Sequence, residues 1–135
     1  MSELIVTPLR GQRLMPEGAR FALAEWGDPG GTFDPPRYIA PLHRHRDEDE
    51  AWYVVEGRLR FRLGDEEVEA ETGSAVFGPR GVNHTYWNPG PGPARYLVIM
   101  MPETVRMLEE MHSLPDRSPE RMRDLFRRHG CELPG

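Results

Sequence analysis

The sequence predicts an all-β fold, a sandwich or small barrel, followed by a short helical tail. Three observations carry this. Proline and glycine number 14 each and fall between short apolar runs, as in a fold built from short strands and many turns. The segment RLRFRL, residues 58–63, alternates strictly, with Leu59, Phe61 and Leu63 on one side and Arg58, Arg60 and Arg62 on the other. Beyond residue 102 the apolar residues change to helical spacing.

Taken in order, residues 3–7 and 20–26 read as short strands. GDPGGTFDPP, 27–36, is a loop, because its prolines and glycines exclude regular structure. Residues 37–45 and 51–56 read as strands, with a tight turn at Gly57. GDEE turns the chain after 58–63, and 67–71 returns it as a hairpin. Two or three short strands follow, broken at 78–81 and 88–93. Residues 96–101 are apolar throughout, which predicts burial on both faces.

In the tail, Thr104, Met107, Leu108 and Met111 predict a helix over 103–112. SPERMRDLFRRHG predicts a second. Ser118 is its N-cap, Pro119 fits its first turn, Gly130 stops it, and Met122, Leu125 and Phe126 form its stripe. Both helices are expected on the outside of the barrel or against a partner chain. The chain divides into a barrel domain, 1–102, and a helical tail, 103–135.

The 135 residues suit one domain with a real core. The single cysteine, Cys131, excludes an internal disulfide and any zinc site needing two thiolates. It has no histidine–acid motif nearby and is not read as a nucleophile. Net charge is −5, so nucleic acid is not an expected partner. The arginines of 121–128 read as the solvated face of an amphipathic helix. No apolar run is long enough for a membrane span, and the N-terminus lacks a signal-like apolar stretch. A cytoplasmic protein is expected. Every one of the 17 basic residues is arginine, which excludes lysine chemistry and hints at a GC-rich bacterial source.

The chemistry concentrates in PLHRHRDEDEAWYVVEG, residues 41–57. His43 and His45 share one face of a strand, and a short turn could return Glu50 to that face. Two readings are open on these residues alone: a metal site, or a solvated turn with internal ion pairing. Asp47, Glu48 and Asp49 read as solvated turn residues, with Arg44 and Arg46 pointing away from the histidines.

A second stretch, GSAVFGPRGVNHTYWN (73–88), changes the balance. Together the two stretches resemble the two motifs of the cupin superfamily. The first is His43-x-His45, four residues, Glu50, six residues, Gly57. The second is Gly73, five residues, Pro79-x-Gly81, two residues, His84, three residues, Asn88. The 15 residues between them match the short spacing of small bacterial cupins. One position departs: the family has glycine six residues before the first histidine, and here Arg37 stands there. The resemblance covers residues 37–101. Less specifically, the tail is similar to that of small cupins related to quercetin 2,3-dioxygenases.

The resemblance implies a double-stranded β-helix, or jelly-roll barrel. It also implies one divalent transition metal per chain, held by His43, His45, Glu50 and His84. Three imidazoles and a carboxylate suit Fe, Mn, Ni, Co or Zn. They leave a divalent ion a net charge of about +1, which favours an anionic oxygen ligand such as an enolate or catecholate. Glu50 is also the candidate general base. Strand parity adds Trp52, Tyr86 and Phe61 as candidate pocket residues. His112 and His129 read as surface residues.

The leading expectation is a small-molecule oxygenase cleaving an enolic, catecholic or flavonol-like substrate. The alternatives are a metal-dependent isomerase or epimerase, and a non-catalytic cupin that binds a small ligand. The apolar strand and helix stripes imply more burial than one small barrel provides, so a homodimer is expected.

Overall fold

The computed structural model describes residues 2–134. Its strands, numbered along the chain, are β1 (Arg13–Leu14), β2 (Ala22–Asp28), β3 (Tyr38–His45), β4 (Glu50–Glu56), β5 (Arg58–Leu63), β6 (Glu66–Glu71), β7 (Ala75–Gly78), β8 (His84–Trp87), β9 (Ala94–Met100) and β10 (Cys131–Glu132). Two helices, α1 (Pro102–Ser113) and α2 (Pro119–Arg128), lie between β9 and β10. One sheet runs β1-β2-β9-β4-β7 and the other β10-β3-β8-β5-β6. Every pairing between these strands is antiparallel. The two sheets form the jelly-roll sandwich of a double-stranded β-helix.

The alternation that predicts the fold also fills it. Leu59 and Phe61 of β5 point inward, as do Trp52 and Val54 of β4 and Tyr96, Val98 and Met100 of β9; all are fully buried. The outward arginines of β5 meet β6, with Arg58 and Arg60 paired to Glu69 and Glu67. The turn between β4 and β5 needs glycine. Gly57 has φ 76°, and a Cβ there would lie 2.3 Å from the Pro93 carbonyl oxygen.

Three expectations change. The apolar run 3–7 is not a strand: Ser2–Leu4 form a 3-10 turn, Ile5 is exposed, and the edge strand is β1, seated on Leu23 and Ala24. The stretch 96–101 is not buried on both faces. Leu97 is half-buried and Ile99 is 40% exposed, because no element among the described residues covers the outer side of β9. The helices are not on the outer wall. They close one end of the sandwich, and β10 then pairs with β3, setting Cys131 against His45 and Glu132 against Arg44.

What seats the tail is Glu48. The residue before α1, Met101, offers no capping side chain. Glu48 supplies the cap from the β3–β4 turn instead, accepting from the backbone N–H groups of Glu103 (3.1 Å) and Thr104 (2.9 Å) and from the Thr104 hydroxyl (2.8 Å). It therefore satisfies orphan donors at the positive end of the helix and is not a free turn residue. Asp47, by contrast, meets only Arg46, and Asp49 accepts from the backbone of Arg80. α2 is capped locally, as its sequence predicts, by Ser118 accepting from Arg121.

Replacing Glu48 with alanine should lower stability by about 1–2 kcal/mol, the usual worth of a helix cap. Asp47→Ala should change it by less than about 0.5 kcal/mol. Urea denaturation of the two variants checks the contrast.

Candidate metal centre

β3 delivers two of the four converging side chains. Its register against β8 shifts between Tyr38 and Ala40 and again between Ala40 and His43, where Pro41, lacking an N–H, is tolerated. The irregular strand leaves His43 opposite His84, with His43 and His45 both buried facing inward. Arg44 points outward to Glu132. β4 brings Glu50 from the other sheet, so the cluster bridges both layers. One ligand atom from each of His43, His45, Glu50 and His84 lies within 4.8 Å of all the others, and all four residues are buried.

The hydrogen bonds fix which nitrogens face one another. His43 Nδ1 lies 2.6 Å from the Pro41 carbonyl and His84 Nδ1 3.3 Å from the Val82 carbonyl. A carbonyl only accepts, so both Nδ1 atoms carry the proton. His45 Nδ1 lies 3.4 Å from the Thr104 hydroxyl and 3.1 Å from Cys131 Sγ. The Thr104 hydroxyl already donates to Glu48, so toward His45 it accepts. An imidazole that carries its one proton on Nδ1 presents a bare Nε2.

Those Nε2 atoms crowd together. His43 Nε2 is 3.1 Å from His45 Nε2, which is 3.2 Å from Glu50 Oε1. His84 Nε2 is 3.4 Å from the same oxygen, is fully buried and has no hydrogen-bond partner among the described residues. Four lone-pair donors with no proton between them fit a divalent cation, and the three Nδ1–H contacts are the outer support such ligands have at metal sites.

The electrostatics suit the same role. Burial, followed by the neighbouring His84 and His45, lowers the pKa of His43 to about 4, so the ring is neutral at physiological pH. Burial pushes Glu50 upward, but positive charge and N–H donors on the His45 and His84 rings, where those rings hold a second proton, outweigh it and bring it down to about 2; a cation held among them would act in the same direction. The carboxylate is ionised throughout the working range. Burial also pushes the Cys131 thiol up to about 12, which keeps it a neutral neighbour of His45 and not a nucleophile.

A small chamber of about 100 Å³ opens in front of the cluster. Trp52 and Tyr86 line it, as parity predicts. Phe61 is one layer behind, stacked on Tyr86 at 5.4 Å and against Trp52 at 5.1 Å. The Tyr86 hydroxyl bonds that of Tyr96 at 2.8 Å, and burial raises its pKa well above the phenolic range, so it stays protonated. Among the described residues the buried Trp52 Nε1–H has no hydrogen-bond partner. Trp26 of β2 and Ile39, Ala40 and Pro41 of β3 continue the wall, and the tail completes it with Thr104, Met107, Leu108, Met111 and Phe126, whose ring meets that of His43 at 5.5 Å. Sequence reasoning missed Glu48, Thr104 and Cys131 here. The stripe Thr104-Met107-Leu108-Met111 was visible, but nothing in it named the surface it covers. His112 is exposed, as expected; His129 is not, being held between Glu103 (2.5 Å) and Glu110 (2.8 Å).

Comparison with known proteins agrees with this geometry. Residues 31–100 match the cupin domain family. The tetracenomycin polyketide synthase protein TcmJ of Streptomyces glaucescens is 38% identical over 60 residues, which span 44% of this chain and 40% of that protein. Protein TT1209 of Thermus thermophilus is 26% identical, with a TM-score of 0.55 over 66% of this chain and 78% of that one. A sugar phosphate isomerase of the cupin superfamily from Silicibacter pomeroyi is 23% identical, with a TM-score of 0.52, and shares the fold over 61% of this chain and 50% of its own. The family match spans just over half of the 135 residues and contains all four converging side chains; the chain belongs to the cupin superfamily.

Proposed function

We propose that this cupin is a metal-dependent oxygenase acting on a planar, enolic or catecholic small molecule. The observation that carries the reading is the set of three bare Nε2 atoms and one ionised carboxylate facing an apolar chamber. A bound Fe, Mn, Ni or Co ion would supply Lewis acidity toward a substrate oxygen and a redox partner for dioxygen; zinc would supply only the first. The residues of the chain do the rest. His43, His45 and His84 would hold the ion through Nε2. Glu50 would complete the set, and its carboxylate would be the group placed to accept the proton of a substrate hydroxyl. Trp52 offers an N–H to a substrate oxygen, and Tyr86 a hydroxyl that stays protonated.

The lining favours this reading over its alternatives. Trp26, Ile39, Trp52, Met107, Leu108 and Phe126 suit a flat apolar body and give a sugar few polar partners. TcmJ is by name a polyketide synthase protein, and poly-β-ketone chains enolise readily. The likeness to a sugar phosphate isomerase concerns fold alone.

The protein purified without an affinity tag should carry about one equivalent of transition metal per chain, and His84→Ala should lose it. With a catechol or flavonol, the loaded protein should consume oxygen, and Glu50→Gln should abolish consumption. Anaerobic turnover of a sugar phosphate would replace the oxygenase with the isomerase. Tight ligand binding without turnover would leave a binding protein.

The apo site adds a pH signature. Unfolded His43 takes up a proton below about 6.5, whereas folded His43 does so only near 4. The unfolded state therefore binds more protons between these values, and stability falls as pH drops through them. In chelator-treated protein the loss between pH 7 and 5 should be about 2 kcal/mol. Denaturant titrations at the two pH values test this, and His43→Ala should flatten the dependence.

A second copy of the chain is the proposed protein partner. Leu23, Ile99, Ala51 and Phe77 follow one another across the outer face of the first sheet, with Leu97 and Tyr53 beside them. Phe77 is 58% exposed and Tyr53 45%. An apolar face of this kind invites sheet-on-sheet association. Light scattering should give twice the 15.5 kDa chain mass, and Phe77→Glu should shift it toward the monomer. With a net charge of −5 and no helix among the described residues long and apolar enough to cross a membrane, neither nucleic acid nor membrane enters the reading. The proposed setting is the cytoplasm.

A further inference from the structure

The chamber in front of the metal ligands is too small for a polycyclic molecule, but it is not the whole cavity. Trp26, Ile39, Ala40, Tyr86, Leu108 and Met111 line it and also line an outer chamber of about 720 Å³. The two chambers adjoin, with these six residues as their common boundary. The outer part adds Gln12 and Arg13 from the N-terminal segment, His112 from α1 and Arg117 from the α1–α2 loop.

The charge of this rim runs against that of the chain. The protein carries −5 overall, yet no carboxylate among the described residues lines the outer chamber and two arginines do. Arg13 is 3.5 Å from Glu109, a half-exposed pair of the kind water competes with strongly. Arg117 makes no ion pair and no side-chain hydrogen bond among the described residues, although most of the chain's other arginines are paired. A guanidinium is permanently charged and matches a carboxylate in a two-pronged geometry. In the same chamber, Trp26, Ile39, Leu108 and Met111 form apolar walls that it shares with the inner chamber.

We infer that the outer chamber is a recognition site for an aromatic carboxylate, with Arg117 and Arg13 binding the carboxylate and the apolar walls taking the ring. This deepens the oxygenase reading and rests on it for its biological sense: the substrate would be an aromatic acid, its oxygen-bearing ring toward the metal ligands and its anionic end at the rim. Arg117 and Arg13 come from segments outside the two histidine motifs, so they would select the substrate without touching the ligands.

The test uses 2-naphthoate and 2-naphthamide, which share a ring system and differ in charge. Calorimetric titration of the metal-loaded and the chelator-treated full-length protein with each compound gives four affinities. The expected result is at least about tenfold preference for naphthoate in both forms, the scale of one charge-assisted contact. Arg117→Gln should remove most of it and Arg13→Gln/Arg117→Gln the remainder, with naphthamide affinity unchanged. Arg117 is exposed and unpaired among the described residues, so the single variant should fold; circular dichroism confirms that each variant keeps its strands. Equal affinities, absence of binding, or a preference that survives both substitutions would overturn the proposal. So would a preference that vanishes on chelation, because the carboxylate would then be bound at the metal ligands, and the oxygenase reading would stand without the rim. Failure of that reading shows separately, as missing metal or missing oxygen consumption, while the rim preference in chelated protein persists.

Discussion

The fold is organised around four buried lone-pair donors, three imidazoles and one carboxylate, whose ligand atoms lie within 4.8 Å of one another. Buried polar groups are ordinarily satisfied, and these are satisfied on one side only. Each imidazole donates its Nδ1–H outward, to Pro41, to Val82, or to the Thr104 and Cys131 pair, and turns its Nε2 toward the others. Two of the rings come from β3, one from β8, and the carboxylate from the opposite sheet. A cation at this point would tie the two sheets together at the end of the sandwich that the tail covers. At the far end no ion is needed, because Gly57 lets the β4–β5 turn close directly onto the backbone at Pro93.

Much of this could be read from the residues because it depends on local pattern. The alternation in 58–63 gives the inward and outward faces of β5, and its boundaries match the strand. The i, i+2 spacing of His43 and His45 puts both inward. Capping residues that act on their own helix, such as Ser118, are legible for the same reason. The pocket assignments by parity reach Trp52 and Tyr86, but parity cannot tell a lining residue from one behind it, and Phe61 is behind.

What could not be read depends on which segments meet in space. Glu48 belongs to a run of four acids whose members look alike in sequence. One caps α1 more than 50 residues away, one meets its neighbour arginine, and one holds the backbone of Arg80. Glu50, the fourth, faces the histidines. The run at 96–101 is apolar throughout, yet only its inner face is covered within the chain, because hydrophobicity records a tendency to be buried and not the surface that does the burying. β10 is two residues long, too short for any period, and exists because β3 offers it an edge.

The tail gives the cleft two kinds of wall. On the barrel side, Trp26, Trp52 and Tyr86 are stiff rings, and Tyr86 is fixed further by Phe61 and by the hydroxyl of Tyr96. On the tail side the same space is bounded mostly by Met107, Leu108 and Met111, with Thr104 and the Phe126 ring beside the histidines. Methionine is unbranched and polarizable, and it re-packs at small cost. Molecules of different outline can thus be accommodated by rearranging one side while the other keeps its shape. Selectivity for the reacting end would come from the rigid half, and tolerance of what is attached to it from the yielding half. Such a division lets a single barrel be re-tuned to new compounds by exchanging a few residues of a helix, with the strands that hold the reactive centre left alone.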